Sequence, residues 1–477
     1  MKDVRLEEVA RFTGGMVTTG PDTLVSRVST DTRNLEKGAL FVALIGERQD
    51  GHRFLERACR RGAAAAVVNR ENPHAEHFRR GQPDFPLVLV EDTLTALGDL
   101  AAGVRRATEV RVVGITGSTG KTSTKDLLVS ILRRRYSTAA SPASFNNEIG
   151  VPLTLLGSTG SEQLVVVEMG ARRKGDITRL SEIARPDAGI ITGIGVTHLE
   201  SFGSREALAL AKAELAEAVP DDGRLFLNAD CEYYPWLKQR SRCAVFGFGA
   251  AGTADYRYSR LALDPSGRPS FRLQGPGLDI SVKLSVLGAH HAGNAAAAAA
   301  CAHQEGCTPE EIAAGLEAAQ ISAMRLEAVL SPSGFTVIND SYNASPHSMK
   351  AALCTLKAMS SGRRTVAVLG GMEELGDDSS SYHREAGRLF AELDLDLLVG
   401  IGPRAIDYTE AAVEAGLPRG SAFWCASVKS AVSVLQAVLE PDDLVLVKAS
   451  RSKKLERVAH SLVSPDFRAR GRGAAYV

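Results

Sequence analysis

Residues 114–123 read GITGSTGKTS, and the residue types in that run suit a nucleoside triphosphate. Backbone N–H groups of Gly117, Ser118, Thr119 and Gly120 can converge on phosphate oxygens in a glycine-rich turn. The Lys121 ammonium can reach the outer phosphates and the Thr122 hydroxyl can ligate Mg²⁺, with Ser123 continuing the same turn. A generic phosphate loop has glycine at position 115, where this chain has Ile115. By spacing alone, an ordinary strand-to-helix turn therefore competes with the phosphate reading.

Two more candidate groups stand where apolar runs end. LVVVEMG, residues 164–170, is a buried-strand pattern that reaches Glu168, and the run at 188–195 leads into His198. Ligands of open parallel sheets lie beyond the carboxyl ends of strands, so Glu168 and His198 are candidate cation ligands at the edge that holds the phosphate loop. Mg²⁺ keeps a mostly oxygen shell, which gives His198 a second cation or a proton-handling role as alternatives. Asn146 and Asn147, in FNNEIGVP, offer amides to a polar substrate. Asn294 is polar within an alanine-rich run, able to read an adenine edge or simply to cap a helix. Lys212, among Ala209, Ala211 and Ala213, reads by pattern as a solvated helix lysine.

The elements that must position these groups follow from periodicity. Apolar residues at 110–113 read as the strand before the glycine turn, and Leu127, Leu128, Ile131 and Leu132 recur at helical spacing after it. Strands are expected at 40–44, 64–68 and 87–90, with helical segments between them, as a small α/β domain. Residues 257–288 alternate weakly around DPSG and GPG, which predicts antiparallel hairpins. A new αβ alternation has strands at 335–338, 365–369, 397–401 and 444–447, which predicts a second doubly wound domain beginning near Ile321. Polar clusters follow three of its strands: residues 339–346, including Asp340 and Asn343, residues 370–376, and residues 448–452, including Lys448, Ser450 and Arg451. Matching positions at three strand ends predict one ligand-facing edge. In the first domain, polar stretches at 29–33 and 46–52 flank a strand, and Arg33 suits a bidentate phosphate contact.

Composition sets the class. The 477 residues carry 56 basic and 56 acidic side chains, so no long-range field draws the chain to nucleic acid or an anionic membrane. The seven cysteines are scattered without a C-x-x-C pair, as in a reduced cytoplasmic protein. The alanine-rich run at 295–302 is too short to span a bilayer.

The segments TDTR, ALFVALIGERQDGH, TGSTGKTS, FNNEIGVPLTLL, VVVEMGA, THLESFGS, NDSYNASPHSM and VKASRS together resemble the Mur ligases along nearly the whole chain. The GERQDGH loop, DSYNASP, MEELG followed by His383, and the lack of a DNPR-like segment resemble the branch that adds the last amino-acid unit. The resemblance implies an α/β protein of three domains. A small N-terminal domain at 1–108 would bind the UDP-sugar, with Thr32, Arg33 and His52 as candidates. A central P-loop-type domain with a mostly parallel sheet at 109–320 would bind ATP on residues 117–123. A C-terminal Rossmann-like domain at 321–477 would bring an acceptor dipeptide and close over the site. It also implies that Thr122, Glu168 and His198 ligate Mg²⁺, that Asn294, Arg325 and Asp340 contact the nucleotide, and that Asn146 and Asn147 face the muramoyl-peptide. Asn343, Lys448, Ser450 and Arg451 would line the acceptor side, and Lys212 would match a lysine that is carbamylated in several members. Lys121, Lys212 and His198 are thus the expected catalytic residues.

The implied reaction joins UDP-N-acetylmuramoyl-tripeptide to D-alanyl-D-alanine through an acyl phosphate, in a cytoplasmic, monomeric enzyme with ATP and Mg²⁺. Four positions depart from the family's usual residues: His291 for Asn, Met324 for Gly, Gly371 for Asp and Ala449 for Gly. Competing readings are a diaminopimelate- or lysine-adding relative, a folylpolyglutamate synthase-like ligase, and a nucleotide-dependent switch without an acceptor site.

Overall fold

A computed structural model describes residues 3–467 apart from 159 and 198. It contains three principal sheets. In the first, strands Met16–Val17, Leu87–Val90, Ala65–Asn69, Leu40–Val42 and Val28–Ser29 lie in that order, all parallel except the first. The helix Thr93–Arg106, capped by the Asp92 carboxylate, leads from this sheet to the second.

The second sheet has nine strands, with Arg111–Thr116 between Ala188–Ile191 and Leu164–Glu168 and parallel to both. Glu168 pairs in register with Ile115, and Ile191 with Thr116. The three expected strand ends are therefore immediate neighbours. Residues 256–283 form the hairpins that the turn sequences require, in the antiparallel strands Tyr256–Leu263, Pro269–Gly275 and Leu278–Lys283.

Alternation within the central strands splits their side chains between two cores. Val113, Ile115, Val166 and Ile190 face the helices Lys121–Leu132 and His291–Gln304. Every residue from Ala295 to Ala302 is buried, so the alanine helix lies against the sheet without bulky side chains to hold it away. Val112, Val165 and Val167 face the other way and share a core with Leu97 and Leu100 of the first domain. That continuous core fixes the N-terminal domain against the central one.

The third sheet orders Glu327–Leu330, Thr336–Asp340, Leu444–Lys448, Thr365–Gly370, Leu397–Ile401 and Ala422–Cys425, with only the first antiparallel. Register places Asp340 beside Lys448. Several strands escaped the sequence pattern. Glu327–Leu330 is an edge strand exposed at every residue and has no buried face to mark it. Ala422–Cys425 is also an edge strand, while Arg224–Asn228 and Ala244–Gly249 are short runs broken by Asn or Gly.

Candidate active site

The glycine turn enters the helix Lys121–Leu132 through Gly120, whose φ of 82° suits glycine. A Cβ at Gly117 (φ 141°) would lie 2.0 Å from Thr192 Oγ1, and one at Gly120 would lie 2.5 Å from Asn294 Oδ1. Both glycines are thus demanded by close approach as well as by backbone conformation. The turn is pinned to the next strand's exit: Ser118 N–H donates to the Gly193 carbonyl at 2.9 Å, Gly195 N–H to Ser118 Oγ at 2.9 Å, and Thr192 Oγ1 to the Thr119 carbonyl at 2.5 Å.

Lys121 arches over this turn and donates to the Gly117 carbonyl at 2.8 Å. Enclosure lowers its pKa from the ordinary lysine value, an effect that Glu168 opposes and Arg325 reinforces. Buried Glu168 accepts from Thr122 Oγ1 at 2.7 Å on one oxygen and from Asn146 Nδ2 at 2.8 Å on the other. Arg325 Nη2 donates to Thr122 Oγ1 at 2.8 Å and to Ser144 Oγ at 3.3 Å. A cationic group thus sits among hydroxyl oxygens beside a carboxylate, and these oxygen donors fit a hard divalent cation such as Mg²⁺. His198 lies outside the described residues. Among the described residues no cluster of three or more His, Cys, Asp or Glu side chains could hold a metal.

Arg325 reaches this point through a strained backbone. Met324 and Leu326, on either side of it, have φ of 62° and 53°. The guanidinium lies over the Tyr342 ring at 4.3 Å, and its buried Nε has no partner among the described residues. Glycine is the residue that adopts such a conformation readily, so Met324 marks the departure with a structural cost. Asp340 stabilises the same hinge, accepting from Leu326 N–H at 3.3 Å and from the Lys448 ammonium at 2.6 Å. Lys448 also donates to the Asn343 carbonyl at 3.0 Å.

Two further residues that position the site gave no sequence signal. Lys125, buried in the helix after the turn, donates to the carbonyls of Ser141 at 2.8 Å and Ala143 at 2.6 Å. It thereby sets the loop that carries Ser144 and Asn146. Asp126 accepts from the Ser322 N–H and hydroxyl, each at 2.8 Å, and ties down the start of the hinge.

Lys212 corrects the solvated-lysine expectation. It is 1% exposed, and burial pulls its pKa down to about 7, with Lys121 adding and Glu214, Asp176 and Glu168 opposing. The apolar environment disfavours its charged form. The small alanines around it, which gave the sequence no amphipathic contrast, let the helix Arg205–Ala218 pack closely at this point. His291 is buried and neutral, its pKa driven well below the ordinary imidazole value by burial, then by His290 and Arg325. Its Nδ1 lies 3.2 Å from Asn294 Nδ2, so an Asn294 amide that donates there leaves the ring proton on Nε2.

One cleft of about 1710 Å³ runs past the glycine turn to both flanking domains. The cleft brings together Ser118 to Ser123, Glu168, Asn146, Asn147, Lys212, Asn294, Arg325, Asp340, Asn343, Lys448, Ser450 and Arg451, while Gly117 lies under the turn. Asn147 also caps the helix Gly150–Gly157, accepting from Gly150 N–H at 2.9 Å. Sequence reasoning missed Arg172 and Lys174 on the cleft wall, because single charged residues in loops carry no periodic signal, while Glu373 belongs to the predicted cluster at 370–376.

Thr32, Arg33 and His52 are elsewhere. Thr32 is buried, and Arg33 folds onto Asp31, with Nε–Oδ2 at 2.9 Å and Nη2–Oδ2 at 2.7 Å. His52 is 2% exposed, lies 2.6 Å from Asp50 Oδ1 through Nδ1, and accepts the Asn69 N–H at 2.9 Å on Nε2. Acceptance on Nε2 fixes the Nδ1–H tautomer and occupies both ring nitrogens.

Comparison with known proteins agrees with this architecture. Residues 24–105 match the model of the Mur ligase family catalytic domain, 115–302 the Mur ligase middle domain, and 324–451 the Mur ligase glutamate ligase domain. The chain is 36% identical to UDP-N-acetylmuramoyl-tripeptide--D-alanyl-D-alanine ligase of Bacillus subtilis, over 92% of this chain and 94% of the relative. It is 34% identical to the Escherichia coli enzyme of the same name, over 93% and 95%. A crystal structure of MurF from Acinetobacter baumannii superposes with a TM-score of 0.86 at 30% identity, covering 97% of this chain and 99% of that one. MurF from Thermotoga maritima in complex with ADP superposes with a TM-score of 0.78 at 27% identity, covering 91% and 96%. With three domain models matched in order and such relatives covering nearly all of its length, the chain belongs to the Mur ligase family.

Proposed function

We propose that this chain is an ATP-dependent ligase that joins the terminal carboxylate of UDP-N-acetylmuramoyl-tripeptide to the amine of D-alanyl-D-alanine in peptidoglycan precursor synthesis. The observation that carries the reading is the single cleft in which the phosphate-binding turn, the Thr122–Glu168 pair and the polar strand ends of the last domain face one another. A nucleotide switch needs the first of these but gains nothing from the last. Residues 1–108, 109–320 and 321–477 would serve the uridine-linked substrate, ATP and the dipeptide in turn. Arg33 and Thr32 belong to the loop suited to the uridine diphosphate end, with His52 shaping the adjoining loop from inside.

The chemistry follows from where negative charge develops. The tripeptide carboxylate attacks the γ-phosphate of ATP to give an acyl phosphate and ADP; the dipeptide amine then attacks the acyl carbon and phosphate departs. Lys121 and the amides of the glycine turn would stabilise charge on the transferring phosphoryl group by position alone, with no protein nucleophile required. Thr122 and Glu168 would hold Mg²⁺, which when bound offsets the charge of the triphosphate. Asn146 would orient Glu168, and Arg325 would bring positive charge from the hinge. Lys212, partly neutral at physiological pH, suits addition of CO₂ to form a carbamate, which would turn a buried cation into an anion near Lys121.

Among the described residues no helix is long and apolar enough to cross a membrane. We take the enzyme to act in the cytoplasm as a monomer. The test is ADP release by purified protein with ATP, Mg²⁺ and UDP-N-acetylmuramoyl-tripeptide, with and without D-alanyl-D-alanine. Sustained turnover is expected only with the dipeptide; turnover indifferent to it would overturn the assignment.

A further inference from the structure

One wall of the cleft includes a turn at residues 371–375, and its backbone is fastened at nearly every residue. Tyr408 donates its hydroxyl to the Gly370 carbonyl at 3.2 Å, and Ser450 N–H donates to the Gly371 carbonyl at 3.2 Å. Met372 N–H donates to His383 Nε2 at 2.9 Å, and Glu373 N–H donates to Ser450 Oγ at 2.9 Å. The Glu374 carbonyl accepts from Glu200 N–H at 3.3 Å, across to the central domain. Glu373 and Glu374 both line the cleft, and Glu373 forms an ion pair with Lys453. An exposed ion pair adds little to stability by itself, so the fastening serves something besides that pair.

His383 reaches this turn from the helix Ser379–Glu392. It has no exposed surface, and its Nδ1 lies 2.6 Å from the Ser379 carbonyl, which no unprotonated nitrogen could approach favourably. The proton therefore sits on Nδ1, and Nε2 presents a lone pair to the Met372 amide. Burial, the largest influence on its pKa, keeps the ring neutral and this acceptor in place. The ring also packs 4.7 Å from that of Tyr408, so its plane is fixed as well as its tautomer.

We propose that His383 is a positioning residue for the second substrate: through the Met372 amide it sets the acidic turn that receives the amine of the incoming amino compound. The inference rests on the ligase reading, because it needs an acceptor that arrives as an ammonium and must be held before it loses a proton. Two carboxylates on a turn of fixed backbone are a fitting receptor for such a group, and a charge-assisted hydrogen bond to either is among the stronger contacts available. The turn also touches the central domain, so the acceptor would be held at the junction that the acyl group must reach.

The test compares His383→Leu, which removes the acceptor, with His383→Gln, whose amide oxygen can occupy the place of Nε2. In steady-state assays with UDP-N-acetylmuramoyl-tripeptide, His383→Leu is expected to raise KM for D-alanyl-D-alanine about tenfold while KM for ATP stays within about twofold. His383→Gln should bring the dipeptide KM back to within about threefold of the unaltered enzyme. Equal shifts in both KM values, or no shift for the dipeptide, would overturn the proposal. Should His383→Leu fail to fold, the double variant Glu373→Gln, Glu374→Gln changes only surface carboxylates and must raise the same KM; an unchanged value is equally fatal. Absence of dipeptide-dependent turnover in the unaltered enzyme would instead defeat the ligase reading beneath it.

Discussion

The N-terminal and central sheets both end their strands in polar loops, yet they use the polar groups in opposite ways. In the first, Arg33 turns its donors onto Asp31 and His52 spends both nitrogens on Asp50 and Asn69. In the second, Lys121 has a single backbone carbonyl as its hydrogen-bond partner, and Lys212 makes no hydrogen bond among the described residues. A polar group with its partners supplied by the fold is architecture; one held in place with bonding capacity left over is prepared for something else. The difference explains why residue type alone marked both regions as binding loops.

The largest expected effect lies on the central side. Lys121→Ala should lower kcat by about 10³-fold, as for loss of a principal electrostatic donor, with stability within about 1 kcal/mol of the unaltered enzyme. A variant that keeps full turnover would remove Lys121 from the chemistry and blunt the contrast between the sheets.

Lys212 sharpens the same contrast through pH. Its pKa of about 7 in the fold is below the ordinary lysine value of 10.5, so the unfolded chain binds more protons between those values. Stability should then rise with pH across that window, because below about pH 7 the folded state carries the full burden of a buried charge. Subtracting the urea-unfolding curve of Lys212→Met, measured in CO₂-free buffer, isolates this dependence at on the order of 5 kcal/mol. Parallel curves for the two proteins would mean that Lys212 keeps its charge in the fold.

On the N-terminal side the prediction reverses. His52→Leu strands the Asn69 N–H and removes a partner of Asp50, and should cost about 2 kcal/mol in urea unfolding. KM for the uridine-linked substrate should stay within about twofold, since neither ring nitrogen is free. A tenfold rise in that KM with unchanged stability would place His52 against the substrate and erase the distinction drawn between the two sheets.

How far the sequence reaches can be judged from the same residues. Strands buried on both faces announce themselves: the apolar run at 397–401 became Leu397–Ile401 without adjustment, and the pattern at 164–170 became Leu164–Glu168, two residues shorter. The helix after the glycine turn starts at Lys121, six residues before Leu127, the first residue of its apolar stripe, because its first turn is shaped by the glycine loop and not by a hydrophobic face. Edge strands such as Glu327–Leu330 have no pattern to read. The site was legible where one short segment carries it, as at 117–123, and illegible where distant segments meet. Lys125, Asp126, Arg172 and the His383–Met372 bond depend on chain crossings that local spacing does not encode.

Between the two sheets' extremes stands the hinge, where Arg325 is aimed into the site by strained neighbours. Met324 adopts φ 62° and its sulfur lies 3.5 Å from Arg451 Nη1. A left-handed conformation costs a non-glycine residue roughly 1 kcal/mol, while glycine adds entropy to the unfolded chain of similar or slightly smaller size. Met324→Gly should therefore raise stability only slightly, by less than about 1 kcal/mol, and Met324→Val, which tolerates this conformation worst, should lower it by about 1–2 kcal/mol. If the strain serves the site, the glycine variant should also loosen the aim of Arg325 and raise KM for ATP by about threefold. An unchanged KM with the expected order of stabilities would show that the hinge tolerates its methionine without using it. The bonds from Asp340 to Leu326 and from Arg325 to Thr122 would then be sufficient to hold the guanidinium in place.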